Sequence, residues 1–585
     1  MEELGEDLET MKRVPLADDH VAALREHGRE VEYDAGDMVA EVGEPMDRFV
    51  YVLEGEIEVV DPYSGERLLD ASLGPTQFMG EIAFLNAGTY FLPMRAARPT
   101  RTLEVPRMAM LDLMARVPEL SDHVITVFAA RRRRQFEAKN SSVKLIGADK
   151  DADVQRCERF LSRNRIPFQS YDLDGSDDET VQVCTLTDHT PSVIVARYEV
   201  LDDPTPRKLA RKLGLDLDID EDITYDLLIV GGGPAGVAAS VYAGSEGLCA
   251  LCVEDTAIGG QAGTSSRIEN YMGFPTGISG TDLVYRGQIQ ALKFGTRFAM
   301  PRRVEGISRQ EDGTFCVTLD CEEPGDEGRD QVCARAVLVA TGVQYRRLPL
   351  DRLEELEGTG IFYAATDMEA RFCKDTEAVV IGGGNSAGQA AMYLSRSAKH
   401  VHLIVRGDSL AQSMSSYLTR RLEADERITI HYHTEVTALH GEDYLDGVTF
   451  TGPDGERRQD TQALFIMIGA APNTDWLSGL CTTDERGFVV TGAEADRETP
   501  FETSCDGIFA TGDVRAGSVK RVASAVGEGS VVVSRIWTYV DELARSREDG
   551  DAQGRAGTGD EPADEATDAS DKERVRTAPQ PAQGG

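Results

Sequence analysis

Two glycine-rich stretches constrain this chain more than any other feature. The first, YDLLIVGGGPAGVAASVYA, places Gly231, Gly233 and Gly236 directly after an apolar run and at the head of a helix-forming run that opens with Pro234 and Ala235. In a strand–turn–helix unit the first glycine permits the tight turn and the second lets the backbone approach a pyrophosphate. The third lets strand and helix pack closely, and the phosphate rests on the unpaired N–H groups of the helix N-terminus. The next apolar run, LCALCVED, reaches Glu254, near the ~20-residue offset at which a carboxylate binds ribose hydroxyls. A dinucleotide site is therefore expected here. The second stretch, EAVVIGGGNSAGQAAMYLSRSAKHVHLIVRGDSL, sets Gly382, Gly384 and Ala387 in the same roles, with Asn385 and Ser386 opening the helix. After its second strand stands Arg406 in place of an acid. Arginine binds a 2′-phosphate that a carboxylate would repel, so NADPH is favoured over NADH. Two such sites in one chain suit hydride transfer from a nicotinamide to a flavin.

The rest of the composition narrows the setting. At 585 residues the chain is too long for one core, and roughly three to four domains are expected. No apolar run approaches the ~18 residues of a membrane span, and MEELGEDLETMKR is acidic where a secretory signal is basic and then apolar, so a cytoplasmic location is expected. The net charge of −40 is spread along the whole sequence, which argues against nucleic acid or anionic membrane as a partner. A diffuse excess of this kind suits solubility in a high-salt cell, where the Debye length is only ~3 Å at 1 M. The one basic block, Arg131–Arg134, reads as a solvated helix face. Ten cysteines without regular spacing suit a reducing compartment. Cys249 and Cys252 are spaced to point to opposite faces of a strand and are not expected to bridge. No metal site is expected.

Along the chain, residues 1–140 alternate short apolar runs with glycine turns, the pattern of an antiparallel barrel or sandwich followed by a helix. In residues 141–220 SVKLIGA, PFQSYDL and TPSVIVA read as strands and DADVQRCERFLSRNRI as an amphipathic helix, a small α/β unit. The larger α/β region divides at 224–343, 344–467 and 468–543. Residues 544–585 are charged, rich in Gly, Pro and Ala, and expected to be disordered.

The order of the two fingerprints, together with GGQ at Gly259–Gln261, IENYMGFP at Ile268–Pro275, ATG at Ala340–Gly342, IGAAPNT at Ile468–Thr474 and GDV at Gly512–Val514, resembles the low-molecular-weight thioredoxin reductase family. The resemblance covers Tyr225 to about Asp541. It implies two Rossmann-like domains binding FAD and NAD(P)H, with the first fingerprint, Gly260, Gln261, Asn270, Ala340, Thr341, Gly342, Gly512 and Asp513 around FAD. It also implies a homodimer. The final helix is expected to begin in KRVASAVGEG, and the family sets that N-terminus beside the flavin, where its partial positive charge favours the reduced anion. Lys520, Arg521 and Val522 therefore join the site, with Lys520 and Arg521 where the family usually has Arg-Gln.

One landmark departs from the family. Where its members read Y-C-A-T-C-D-G, this chain reads Tyr363, Ala364, Ala365, Thr366, Asp367, Met368, Glu369. Ala364 and Asp367 replace the two redox cysteines, so the usual relay through an enzyme dithiol is not expected. Cys373 is the one thiol left in this stretch, and reads as a semi-buried helix residue more readily than as a displaced relay.

The front modules carry weaker resemblances. VYVLEGEIEV and LGPTQFMGEIAFLNAGT resemble the cyclic-nucleotide-binding fold, whose phosphate cassette begins with Gly-Glu, here Gly80–Glu81. Its phosphate arginine is missing: Tyr90, Phe91 and Leu92 stand there, and Arg95 matches a later structural arginine. A docking or dimerisation role is favoured over nucleotide binding. Residues 142–216 resemble a thioredoxin or glutaredoxin fold, with Pro191 of HTPSVIV at the position that usually follows a cis bond, but only Cys157 remains near the place of the active cysteines.

The expected function is that of an FAD-dependent NAD(P)H oxidoreductase whose flavin serves an outside acceptor: a thioredoxin-like protein, an iron–sulfur protein, a quinone or dioxygen. The alternatives are a true thioredoxin reductase using cysteines from elsewhere in the chain, and a sensor flavoprotein with slow turnover.

Overall fold

The computed structural model describes residues 15–60, 65–69, 71–80, 82–90, 92–137, 143–147, 151–172, 191–195, 199–213, 215–216, 219, 223–265, 268, 270–320, 331–353, 355–357, 359–363, 365, 367–374, 376–411, 414–442, 444–477 and 479–557. Glu81, Phe91, Ala364, Thr366, the Thr190 side of the Pro191 bond and the tail beyond 557 lie outside them.

The front module is an antiparallel sheet of β1 (Arg29–Tyr33), β2 (Met38–Ala40), β3 (Arg48–Val59) and β4 (Met94–Pro106), in which β4 pairs with each of the others. It is followed by the helices Arg107–Arg116 and Pro118–Glu137. Phe49 meets Phe78 at 5.1 Å between ring centroids, and Phe84 meets Phe128 at 6.0 Å. The apolar core built on these rings is continuous with that of the reductase sheet.

The small module orders β5 (Val143–Gly147), β6 (Gln169–Asp172), β7 (Ser192–Val195) and β8 (Glu199–Asp202) as β6-β5-β7-β8, with β5/β6 parallel and the other pairs antiparallel. The helix Ala152–Arg163 is capped by Asp151, whose side chain accepts from the N–H groups of Asp153 and Val154, satisfying two otherwise unpaired donors.

The first reductase sheet runs β11-β10-β9-β14-β13-β12, with β25 beside β14. Its members are β9 (Thr224–Val230), β10 (Ala250–Val253), β11 (Arg297–Ala299), β12 (Val304–Arg309), β13 (Phe315–Leu319), β14 (Gln331–Val339) and β25 (Ile508–Ala510). The strands β9, β10, β11, β25 and the paired stretch of β14 are parallel. Burial on both faces explains why they read as unbroken apolar runs. The nucleotide sheet runs β16-β23-β17-β18-β19 in parallel: Ile361–Phe362, Ala463–Ile466, Glu377–Ile381, His400–Val405 and Ile428–Tyr432. An antiparallel layer of β20 (Glu435–His440), β21 (Gly447–Gly452) and β22 (Gly455–Asp460) packs its Val448 and Phe450 with Val379 and Ile404 of that sheet. The chain crosses between the two units through β15 (Val343–Tyr345) and β24 (Ala470–Pro472), which pair antiparallel.

Three expectations change. The closing helix, Val522–Gly557, runs well past the point where disorder was expected. Extending an existing helix avoids the cost of a new nucleus, and the Ala, Arg and Glu after Leu543 are good helix formers. Arg131 is not solvated: Nη1 donates to the Gly80 carbonyl at 2.9 Å and the guanidinium lies over Phe78. Desolvation pushes its pKa down to about 10. Finally, Cys316 and Cys333 face each other across β13 and β14, with Cα atoms 4.1 Å apart, and form a disulfide.

Candidate functional site

The first glycine loop follows β9 directly. A Cβ at Gly231 would meet the Ala340 carbonyl oxygen at 2.4 Å, and one at Gly236 would meet the Gly231 oxygen at 1.8 Å. A Cβ at Gly233 would meet nothing within 4 Å. The first and third glycines are thus demanded by the protein's own backbone, while the second borders open space, as a site for an approaching phosphate requires. The helix Pro234–Ser245 opens there with proline in its first turn, where a missing N–H costs nothing. Glu254 follows β10 and is buried; its Oε2 accepts from the Gly232 N–H at 2.7 Å. Burial, with Asp255 beside it, raises its pKa to about 8, against the opposing pull of Arg163 and that N–H. These residues fit a dinucleotide: a turn without side chains, a free helix terminus, and a carboxyl group held at the second strand's end.

The other landmarks converge on the same region. Ala340 N–H donates to the Val230 carbonyl at 2.8 Å, Thr341 Oγ1 donates to the Asn473 carbonyl at 2.8 Å, and the Asn473 N–H reaches the Gly342 carbonyl at 3.4 Å. Gln261 Nε2 donates to the Val343 carbonyl. Gly259 N–H donates to the Gly232 carbonyl at 2.7 Å, and a Cβ on Gly260 would stand 3.1 Å from Gly233 Cα. The GGQ loop is therefore a buttress of the first glycine loop. Gly512–Val514 forms a short turn after β25 whose Gly512 N–H donates to Glu528 of the closing helix at 2.7 Å. Burial raises the Asp513 pKa, with Lys520 opposing. Lys520 lies over the Phe488 ring, Arg521 is exposed, and Val522 opens the closing helix. That helix packs tightly on Pro234–Ser245, since a Cβ at Gly529 would meet the Ala235 carbonyl oxygen at 2.1 Å. Asn270 is exposed, in the loop after Ile268.

In the second unit Gly382 follows β17 with φ of 141°, and a Cβ there would strike the Met467 carbonyl oxygen at 2.3 Å. The helix Asn385–Leu394 begins after Gly384; Ala387 is buried and Ser386 exposed. The Asn385 side chain accepts from the Ser415 N–H at 2.8 Å, a loop-holding role the sequence reading did not give it. Arg406 stands exposed directly after β18.

The segment between the units carries no dithiol among its described residues. Ala365 is followed by a single helical turn, Asp367–Ala370, and a 3-10 turn, Arg371–Cys373. Cys373 is buried, its Sγ directed at the Glu369 carbonyl oxygen at 3.7 Å, and desolvation pushes its thiol pKa up to about 12. Cys157 is buried against the Pro204 carbonyl. Cys249 is exposed and Cys252 buried, on opposite sides as the strand period requires. Cys333 lies near the start of β14. A rise of ~3.3 Å per residue sets it about 20 Å along the strand from Val339 and the cofactor loop. Among the described residues no group of three His, Cys, Asp or Glu side chains is placed to hold a metal ion, and no helix is long and apolar enough to cross a membrane.

Two interfaces had no local signal. Asn86, at the end of the cassette turn Ile82–Asn86, exchanges both side-chain hydrogen bonds with the backbone of Phe298 on edge strand β11, each at 3.1 Å. The helix Ala152–Arg163 lies between the two nucleotide units: Arg163 donates to the GGQ loop, and Glu158 pairs with Arg371 at 2.7 Å. In the barrel, Gly80 keeps φ of 117°, Tyr90 is buried, and Arg95 is bound to Glu58 at 2.5 Å and to the Gly65 carbonyl.

Comparison with known proteins agrees with this geometry. Residues 225–529 match the family model described as pyridine nucleotide-disulphide oxidoreductase, and residues 30–117 match that of the cyclic nucleotide-binding domain. The thioredoxin reductase of Bacillus subtilis is 34% identical over 331 residues, covering 56% of this chain and 98% of that protein. The NADPH-dependent thioredoxin reductase 3 of Arabidopsis thaliana is 33% identical over 328 residues, 54% of this chain and 59% of that one. The crystal structure of Lactococcus lactis thioredoxin reductase in its FR conformation is 28% identical with a TM-score of 0.49, covering 55% of this chain and all of that one. The chain belongs to the pyridine nucleotide-disulphide oxidoreductases, in the thioredoxin reductase family of FAD- and NADPH-dependent enzymes, with a cyclic nucleotide-binding domain joined to its N-terminal side.

Proposed function

We propose that this enzyme takes hydride from NADPH at FAD and delivers the electrons to an outside acceptor with no enzyme dithiol between. The observation that carries this reading is the segment from Ala365 to Cys373, whose one thiol, that of Cys373, is buried and holds its proton tightly. A thiol of this kind is a poor nucleophile, because only the thiolate attacks a disulfide. The Cys316–Cys333 pair, far along β14 from the cofactor loop, supports the same conclusion against a relocated relay.

When bound, FAD accepts hydride from the nicotinamide and releases electrons to the acceptor. The chain's residues hold and orient it: Gly231, Gly233 and Gly236 admit the pyrophosphate to the helix at Pro234, and Glu254 accepts ribose hydroxyls. Asn270, Gln261 and Asp513 bind the remainder. The N-terminus of the Val522 helix, with Lys520 and Arg521, supplies positive potential. Gly382, Gly384, Asn385, Ser386 and Arg406 bind NADPH.

The sheet memberships support the domain division 1–140, 141–220, 224–343, 344–467 and 468–543. The missing phosphate arginine and the docking of the cassette turn on β11 favour a barrel that packs on the reductase without binding cyclic nucleotide, and the small sheet acts as a thioredoxin-like docking module. By family likeness the enzyme is a homodimer. Steady-state NADPH oxidation with a panel of acceptors tests the proposal. Turnover with a quinone, an iron–sulfur protein or dioxygen that exceeds thioredoxin reduction supports it, and efficient thioredoxin reduction refutes it.

A further inference from the structure

Arg163 ends the helix of the small module, yet its guanidinium lies on the reductase. Nη2 donates to the Gly260 carbonyl at 3.0 Å and, more loosely, to the Ala257 carbonyl at 3.4 Å. Both carbonyls belong to the loop that supports the phosphate loop through the Gly259–Gly232 hydrogen bond and the Gly260–Gly233 approach. We propose that Arg163 is a positioning residue for FAD: it holds the Ala257–Gly260 loop in place, so the small module completes the flavin site from outside the reductase. The inference rests on the assignment of FAD to the first fingerprint.

Three observations support the role. Gly259 and Gly260 have φ of 122° and 51°, and two consecutive left-handed glycines have more conformational freedom to lose than other residues, so a charged tie is needed to keep them in register. The tie is half-buried and lines a cavity of about 60 Å³ with Ile258, Val284 and Tyr285 at the junction of the three modules. A charge-assisted hydrogen bond gains strength where water is sparse. Arg163 also acts on Glu254, whose charged form it favours against the effect of burial, so one guanidinium braces the loop and bears on the carboxyl group proposed to bind the ribose.

The docking of the module is fixed independently. Arg165 pairs with Asp282, Arg302 Nε donates to Asp216 Oδ1 at 2.6 Å, and Arg207 donates to the Asp320 carbonyl. Removal of Arg163 therefore leaves the module seated and frees the loop.

The test is FAD affinity of the full-length apoprotein, read by quenching of flavin fluorescence on reconstitution. Arg163→Ala is expected to weaken FAD ~10- to 100-fold, the range for lost hydrogen bonds from a charged donor. Arg163→Lys, which restores one charged donor, recovers part of the loss. Arg165→Ala and Glu158→Gln, which loosen the docking of the module without removing a donor to the Ala257 and Gly260 carbonyls, leave affinity within about twofold of wild type. Unchanged affinity in Arg163→Ala overturns the proposal, as does an equal loss in Arg165→Ala, which marks a general docking effect. If the wild-type protein itself fails to take up stoichiometric FAD, the assignment of the fingerprint falls and the proposal with it.

Discussion

The Glu158 carboxylate, nearly inaccessible to solvent in the small module, is paired at 2.7 Å with the half-exposed guanidinium of Arg371, two residues before Cys373 in the segment where the family carries its dithiol. The small module is thus tied to both nucleotide units, by Arg163 on one side and Glu158 on the other. Arg371→Ala leaves a buried carboxylate unpaired and is expected to cost about 1–2 kcal/mol, less than a fully buried pair because Arg371 is half solvated. A double-mutant cycle with Glu158→Gln, read by thermal unfolding, checks it: the double variant should be no worse than Arg371→Ala alone.

If Arg406, exposed at the end of β18, reads the 2′-phosphate as proposed, it sets cofactor choice. Arg406→Glu turns attraction into repulsion at the 2′-phosphate. The expected result is a loss of ~10-fold or more in kcat/KM for NADPH with little change for NADH. Equal losses with both nucleotides would remove Arg406 from the phosphate site.

The barrel is expected not to answer to cyclic AMP. Calorimetry on the full-length protein should show no saturable heat at micromolar ligand, because Tyr90 is buried where the phosphate arginine would stand and Arg95 is engaged by Glu58. Saturable binding would restore an allosteric role for this module.

The nucleotide unit contains an acid-sensitive pair. His402 Nδ1 meets His431 Nε2 at 3.0 Å, and His402 Nε2 meets Glu377 at 2.9 Å. Burial lowers both imidazole pKa values from 6.5, that of His431 to about 4. The unfolded chain therefore takes up protons in this window that the folded unit refuses, and stability falls as pH drops from about 6.5 toward 4. In His431→Gln the melting temperature should depend less steeply on pH across that window.

Much of the reductase was legible because its constraints are local. Gly231, Gly236 and Gly382 sit where the backbone leaves no room for a Cβ, and parallel strands buried on both faces read as plain apolar runs. What escaped the sequence is long-range. Nothing near Arg163 announces a carbonyl 97 positions away, and Asn86 finds its partner Phe298 across 212 positions. Arg131 looked solvated because its neighbours are arginines, and the Cys316–Cys333 bond depends on strand register. Helix continuation to Gly557 was missed because composition reports poor burial, while an existing helix extends at little cost.

Anaerobic titration of the FAD-loaded enzyme with NADPH, with the flavin absorption band followed, shows whether any thiol pair takes electrons in series with the flavin. Hydride carries two electrons, so about one equivalent of NADPH per FAD should bleach the band fully, and Cys373→Ser should give the same endpoint. Uptake of about two equivalents, falling to one in Cys373→Ser or in a Cys316→Ser/Cys333→Ser variant, would show a working disulfide in series with the flavin and rule out direct transfer from flavin to the acceptor.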